Sequence, residues 1–373
     1  MKQIIWEADI SYCDTAAQLV KEYALCEDDL ILTNKWIYDP FFGPLDLKCK
    51  TIFQEQYGGG EPSDVMVEPI MAEAAKLGCK RVIAVGGGTV IDIAKILTVS
   101  DEHSLDWMYD NKEKLTKKRP LIIVPTTCGT GSEVTNIAVV NRTKLGTKMG
   151  LTSPNMYADE AVLCPEFLST LPWGVFATSS IDALVHAVES SLSPKATPYT
   201  KMFGYKAIEM IVNGYKKIAA AEDKKAALLP LLPDFLIASN YAGIAFGTAG
   251  CGTVHAMAYP LGGTYHVAHG ESNYACFTGV MKAYMEVKTD GEIAVVNKYI
   301  ADLLGCGTSE VYEKLEELLN NILPKKALKE YGMKEEEIHT FAVSVIEQQQ
   351  RLLGNSFVPT SVEFIEKIYA NLY

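Results

Sequence analysis

The 373-residue chain predicts an α/β N-terminal domain built on a parallel sheet, followed by an all-α C-terminal domain. Three observations predict this. Short apolar runs alternate with helical patterns through the first half. Two of those runs lead straight into glycine-rich turns. From residue 174 onward strand signals fade and long helical patterns take over. The domains are therefore placed at 1–173 and 174–373, a division this length allows.

The elements follow in order. Asp29 to Leu32 reads as a strand closed by Thr33-Asn34. Val67 to Leu77 has apolar helical spacing and is ended by Gly78. Arg81 to Val85 is a strand, and Gly86-Gly87-Gly88-Thr89 follows at once. Val90 to Thr98 is the next helix. Leu121 to Val124 is a third strand, closed by Pro125 and the loop Thr126 to Ser132. In the second half, Ile181 to Leu192 reads as a helix with Ser179 or Ser180 as N-cap and Pro194 beyond its end. Phe203–Val212, Leu236–Phe246, Glu310–Ile322 and Glu335–Leu353 have the same character. No internal repeat or low-complexity segment is present.

Composition excludes several classes. The net charge of −12 argues against nucleic acid or an anionic membrane as partner. The basic cluster Lys117-Lys118-Arg119 is short and reads as a solvated turn before Pro120. The longest apolar stretch, Leu228 to Phe246, contains Pro230, Pro233, Asp234 and Asn240, which marks a core helix rather than a membrane span. The nine cysteines form no CxxC pair and no secretory signal begins the chain, so reduced thiols and a cytoplasmic location are expected.

A strand, then glycines, then a helix is a device for holding phosphate. Glycines let backbone N–H groups approach the anion, and the helix adds its uncapped N–H groups and the positive end of its dipole. Gly129-Thr130-Gly131-Ser132 forms a second such loop after a strand. In an open parallel sheet two loops of this kind can flank one ligand. The spacing is not G-x-G-x-x-G, so it names no nucleotide by itself.

Histidine placement carries the second signal. Four of the six fall in two stretches: Asp182-x-x-x-His186, then His255, His266 and His269. Asp182 and His186 share one helix face. A carboxylate with several imidazoles suits a divalent first-row metal. Pro260 and the glycines after it let the chain turn back toward one point. His103 and His339 lie in charged surroundings and are expected to be solvated.

Several segments together resemble the iron-containing (group III) alcohol dehydrogenase family over almost the whole chain. They are Gly86 to Lys95, Pro125 to Thr135, Lys148-Met149-Gly150, Asp182 to Glu189 and His255 to Gly270. The resemblance implies a dinucleotide-binding α/β domain and a helical metal domain of the dehydroquinate synthase-like fold, with the active site in a cleft. It implies metal ligands Asp182, His186, His255 and His269 for one divalent ion, Fe2+ or Zn2+. It implies NAD, with NADP left open, as cofactor. Gly87, Gly88 and Thr89 would hold the pyrophosphate, with Gly86 at the start of that turn. Asp92, Thr126, Thr127, Thr130, Thr135 and Lys148 would line the rest of the groove. Asn34 stands where many members have an acid that binds the adenosine ribose. Tyr259 stands where many have a histidine. His266 is unusual for the family. Tyr259 and His266 are therefore the expected catalytic residues, His266 also being open to a role at the substrate's far end or as a hydrogen-bonded loop histidine.

Segments such as Ile122 to Cys128, Ser239 to Gly247 and Tyr331 to Ile338 resemble a branch acting on 4-hydroxybutyrate and succinate semialdehyde. The substrate carboxylate would then meet His266, Tyr265, Tyr259 or Arg142. The alternatives are another primary alcohol, a diol or glycerol, or a dehydroquinate-synthase-like lyase on the same fold. The expected partner is a small hydroxy acid or aldehyde, not nucleic acid or membrane; self-association is common among such relatives.

Overall fold

The computed structural model describes residues 2–100, 103–145 and 147–373. One compact unit spans Trp6–Leu171. The other spans Pro172–Tyr373 and includes the N-terminal residues through Ile5. The N-terminal segment is tied to the helical unit: the Ile5 amide donates to Thr248 Oγ1 at 2.9 Å, and Thr197 Oγ1 donates to the Gln3 carbonyl at 2.6 Å.

The first unit holds strands β1 (Asp9–Tyr12), β2 (Asp29–Thr33), β3 (Lys50–Phe53), β4 (Arg81–Gly86), β5 (Leu121–Pro125), β6 (Ile137–Arg142), β7 (Thr147–Thr152) and β8 (Glu160–Leu163). Six pair in parallel in the order β1-β8-β5-β4-β2-β3, while β6 and β7 form a separate antiparallel pair. Helices α1 (Ala16–Glu22), α2 (Lys35–Phe41), α3 (Asp64–Leu77), α4 (Gly88–Val99) and α5 (Leu105–Asp110) accompany them. Every residue of β2 and β5 is buried, as a sheet covered on both faces requires. The register aligns Ile31, Ile83 and Ile122 in one cross-strand row, which packs with Phe42 and Phe167 in one core cluster. Burying each such side chain contributes about 1.5–3 kcal/mol.

The second unit is helical among its described residues. Its elements are α6 (Trp173–Leu192), α7 (Pro198–Ala219), α8 (Lys224–Leu228), α9 (Leu232–Ala249), α10 (Thr253–Tyr265) and α11 (His269–Val287). They continue with α12 (Glu292–Leu304), α13 (Val311–Asn320), α14 (Glu337–Gln348), α15 (Gln350–Leu353) and α16 (Val362–Leu372). The apolar segment Lys224–Ala249 is long enough by composition to cross a membrane, but it is broken into α8 and α9 and most of it is buried. Helix α9 packs on α6 and α7, so it is a core helix.

Some sequence expectations need correction. Ser179 and Ser180 do not cap a helix, because α6 begins well before them at Trp173, with Pro172 as N-cap. Their hydroxyls instead lie near the Phe176 and Ala177 carbonyls, at 3.3 and 3.5 Å. The predicted helix 335–353 is interrupted at Gln349 and splits into α14 and α15. Strands β1, β3, β6, β7 and β8 were not anticipated; β1 and β3 are four-residue edge strands with mixed burial. Gly78 does end α3, at φ 60°. All nine cysteines are free thiols.

The starts of β2 and β4 are joined by a bidentate pair: Arg81 Nε and Nη2 donate to Asp29 Oδ1 and Oδ2 at 2.8 and 2.7 Å. Asp29 is buried, so its charge depends on this partner. Arg81→Ala is expected to lower stability by roughly 2–3 kcal/mol, read from thermal and urea midpoints. Adding Asp29→Asn should recover part of the loss; no recovery would show that the pair is not what holds the starts of β2 and β4 together.

Candidate metal centre and cofactor loops

Helix α6 places Asp182 and His186 one turn apart on a buried face. His255 comes from the first turn of α10 and His269 begins α11. One ligand atom from each of the four lies within 4.8 Å of the others. The Asp182 carboxylate is the hub: His255 Nε2 is 3.7 Å and His269 Nε2 3.8 Å from Oδ1, and His186 Nε2 is 4.0 Å from Oδ2. The His186 and His255 rings stack at 4.7 Å, and Phe246 covers the other side of His186 at 4.3 Å. Asp182, His186 and His255 are buried; His269 is partly exposed.

Close helix contact brings these donors together. A Cβ on Gly270 would sit 2.0 Å from the Thr178 carbonyl oxygen and 3.2 Å from Asp182 Cβ. Only glycine lets the start of α11 approach the α6 backbone this closely, and His269 is the residue before it.

The donor set fits a divalent cation. Asn273 Nδ2 faces Asp182 Oδ1 at 2.6 Å, His255 Nε2 at 3.1 Å and His269 Nε2 at 3.2 Å. One amide has two protons for these three acceptors, and the buried Asn273 Oδ1 has no hydrogen-bond partner. Lone pairs thus converge with too few protons among them, at separations that bonds of about 2.0–2.2 Å to one ion can bridge. Burial works to raise the Asp182 carboxyl pKa, but the three imidazoles and the Asn273 amide outweigh it and hold it below the ordinary value.

Glu189 and Asn273 are polar side chains of the candidate site that sequence reasoning missed. Glu189 Oε2 lies 2.6 Å from His255 Nδ1, and Oε1 accepts from the Val254 amide at 2.7 Å. A carboxylate there assigns the imidazole proton to Nδ1 and leaves Nε2 as the lone-pair donor. Cys251 is close by: one donor atom from each of Glu189, Cys251 and His255 lies within 4.8 Å of the others. The signal was available: Glu189 is three residues after His186, and Asn273 four after His269, each on the face that carries its ligand.

The two expected catalytic residues differ in burial. Tyr259, one turn past His255, is half-buried, with its ring 6.1 Å from that of His269. His266 is exposed and caps α10 in a left-handed conformation, φ 55°. His103 and His339 are exposed, as expected; His103 stacks on Trp107 and His339 pairs with Glu366.

In the α/β unit the glycine turn lies at the C-terminal end of β4. Gly87 is the N-cap of α4 and makes no side-chain cap bond, so the first helical N–H groups are left for a ligand. A Cβ on Gly88 would lie 2.9 Å from Thr130 Cγ2, and one on Gly87 would lie 3.3 Å from Thr127 Cγ2. The Thr126 amide donates to the Gly86 carbonyl at 3.1 Å. The structure therefore brings Gly86, Gly87, Gly88, Thr126, Thr127 and Thr130 together. Thr89 Oγ1 donates to the Gly60 carbonyl at 2.9 Å, and Lys148 pairs with Glu61 at 2.6 Å.

Asp92 and Thr135, expected to line the cofactor groove, take part in an internal brace. Fully buried Lys95 reaches Ser132 Oγ at 2.5 Å, Thr135 Oγ1 at 3.0 Å and the Ile137 carbonyl at 2.9 Å. Asp92 accepts from Ser132 Oγ at 2.7 Å and the Val139 amide at 2.8 Å. Burial lowers the Lys95 pKa to about 8 against the pull of Asp92, and burial raises that of Asp92. These groups hold the second loop in shape. Asn34 is buried and engaged by the end of β3, its amide donating to Gln54 Oε1 at 3.1 Å and Glu55 Oε2 at 3.0 Å.

Two substitutions report on the metal centre. Glu189→Gln should weaken metal binding about 10–100-fold in a chelator competition, because His255 loses its orienting carboxylate. Gly270→Ala should lower the metal retained on dialysis while far-ultraviolet dichroism stays helical. Unchanged metal retention would separate the Gly270 contact from the site.

The family model for Iron-containing alcohol dehydrogenase matches residues 12–165, and that for the Fe-containing alcohol dehydrogenase family, C-terminal, matches 176–373. The 4-hydroxybutyrate dehydrogenase of Clostridium kluyveri is 50% identical over 374 aligned residues, covering 100% of both chains. Long-chain-alcohol dehydrogenase 1 of Geobacillus thermodenitrificans is 33% identical over 89% of this chain and 87% of its own. Among solved structures, an archaeal halo-thermophilic Red Sea brine pool alcohol dehydrogenase superposes with a TM-score of 0.86 at 23% identity, covering 100% and 99% of the two chains. A 1,3-propanediol oxidoreductase gives 0.85 at 22% identity, covering 100% of both chains. With both halves matched and the four-donor cluster in place, the chain belongs to the iron-containing alcohol dehydrogenase family.

Proposed function

We propose that the chain interconverts 4-hydroxybutyrate and succinate semialdehyde by hydride transfer to and from NAD, with one divalent metal, iron or zinc, held by Asp182, His186, His255 and His269. The observation that carries this reading is the buried four-donor cluster in a chain half identical, end to end, to a 4-hydroxybutyrate dehydrogenase. When bound, the metal supplies Lewis acidity toward the alcohol oxygen, and the nicotinamide accepts the hydride. Membership of an alcohol dehydrogenase family favours this reading over a lyase on the same fold.

The chain's own residues have definable tasks. Asp182 brings the one formal negative charge and the imidazoles bring none. The set therefore leaves about one positive charge of a divalent ion for an oxygen with developing negative charge. Glu189 keeps the His255 proton on Nδ1. Asn273 donates to Asp182 and fixes its rotamer. The glycine turn and the Thr126–Thr130 loop cradle the pyrophosphate through backbone N–H groups.

Tyr259 is assigned proton exchange at the substrate oxygen, since it is the polar side chain one turn from His255 and beside His269. His266 is assigned the substrate carboxylate. It stands three residues before His269, and a left-handed conformation costs a non-glycine residue ~1 kcal/mol, strain of a kind that gathers at ligand sites. The other candidates are committed elsewhere. Arg142 pairs with Asp106 and lies 4.3 Å over the Tyr109 ring, and the Tyr265 hydroxyl donates to Glu337.

Metal-reconstituted protein should reduce NAD fastest with 4-hydroxybutyrate in a panel with 1,4-butanediol and glycerol, followed by NADH absorbance. Faster turnover of either diol or glycerol would remove the substrate assignment. Asp182→Ala and His255→Ala should abolish turnover yet retain NAD binding. His266→Ala should raise KM for 4-hydroxybutyrate about tenfold, the loss of one charge-assisted hydrogen bond, and leave 1,4-butanediol unchanged.

A further inference from the structure

In dinucleotide-binding sheets the pyrophosphate sits on the turn after one strand. The adenosine ribose reaches the end of the neighbouring strand, where an acidic side chain receives its hydroxyls. Here the turn follows β4, which lies between β5 and β2 in the sheet. Thr33 Oγ1 donates to the Val85 carbonyl at 2.7 Å, locking the end of β2 beside the glycine turn. The residue that follows is Asn34, which is neutral.

A carboxylate is nevertheless present at that place, supplied by the strand beyond. β3 pairs with β2 in parallel and ends at Phe53, with Gln54 and Glu55 in the turn that follows. Glu55 Oε2 accepts from Asn34 Nδ2 at 3.0 Å, and Glu55 Oε1 accepts from the Lys35 backbone amide at 2.9 Å. Glu55 is thus fixed against the first residue of α2, where the missing acid would stand. Asn34 and Gln54 are buried, whereas Glu55 is only half-buried and can meet a ligand. The neighbouring cation does not cancel its charge: Lys35 Nζ is on Asp39 at 2.8 Å.

We propose that Glu55 is the specificity-determining residue for the dinucleotide, accepting from the adenosine ribose hydroxyls and repelling a 2′-phosphate, so that the chain selects NAD over NADP. This rests on the reading above that a nicotinamide dinucleotide binds the glycine turn. A 2′-phosphate carries about −1.5 to −2 charge, and a fixed carboxylate within a few ångströms repels it even in a water-like dielectric. Asn34 alone provides no such repulsion.

The test is equilibrium binding of NADH and NADPH to the full-length protein, by fluorescence titration without substrate, at low and high salt. Glu55→Gln keeps an acceptor for the Asn34 amide and removes the charge. The ratio of NADPH to NADH affinity should rise about tenfold, with a smaller rise at high salt. Glu55→Lys should move it further in the same direction. If Glu55 only supports Asn34, Glu55→Gln will shift both dinucleotides alike or neither, and an unchanged ratio overturns the proposal. A wild-type chain that binds NADPH as tightly as NADH also overturns it. Wild-type protein that binds neither removes the cofactor reading as well, whereas NADH binding with an unchanged ratio removes the Glu55 role alone.

Discussion

The burial of Asp182 sets the terms for the helical unit. A carboxylate withdrawn from water costs several kcal/mol unless charge and hydrogen bonds replace its hydration. Three imidazoles and one amide, drawn from α6, α10 and α11, do so. No one helix provides the set, so the three must meet in one register. Imidazole lone pairs turned toward a carboxylate oxygen repel it unless a proton or a cation intervenes. The apolar packing around α6, where Ile181, Leu184, Val185 and Val188 are all buried, keeps those lone pairs facing inward. Assembly of the site thus draws on the helix core, and Gly270 lets the start of α11 close on α6.

The α/β unit solves a related problem with the opposite charge. Its phosphate-type loops must present backbone N–H groups, which side chains at Gly87 and Gly88 would obstruct. Part of what fixes the second loop is internal, the Ser132 amide donating to Thr130 Oγ1 at 3.3 Å, and part comes from its surroundings. Lys95 supplies the contacts from beneath, matching its three ammonium protons to two hydroxyls and one carbonyl. Asp92 takes the Ser132 hydroxyl and the Val139 amide, so one buried ion pair anchors both the second loop and the start of the β6–β7 pair. Asp92 and Thr135, expected to line the cofactor groove, have this positioning role within the loop.

What was legible in the sequence follows from how each feature is encoded. Asp182 and His186 come together through helix periodicity alone, and the strand-glycine-helix turn is contiguous. Gly78 announced its helix end because a left-handed cap favours glycine. The N-cap at Ser179 or Ser180 failed because α6 has its own earlier start at Pro172, and a serine inside a helix can satisfy itself on the preceding turn. The edge strands β1 and β3 lacked the continuous apolar run that marked β2, β4 and β5. Glu189 and Asn273 lay on readable helix faces, but their polar atoms act on ligands rather than as ligands. Tyr265 and Arg142 looked available only because Glu337 and Asp106 are distant in sequence.

Asn34 shows why the cofactor's sugar is the hardest part to read from one position. A metal ligand must be a particular atom at bonding distance, so a substitution at its position is decisive. Repulsion of a phosphate requires only net negative charge nearby, and the field of a carboxylate extends over several ångströms in a half-buried setting. Adjacent parallel strands lie about 4.8 Å apart, so the end of β3 reaches the same ligand region as the end of β2. The acid can therefore move from one strand to the next and still keep the potential at the ligand negative. Sequence comparison at position 34 sees a lost charge, whereas the hydrogen bonds from Asn34 and Lys35 to Glu55 show it held by the neighbouring strand.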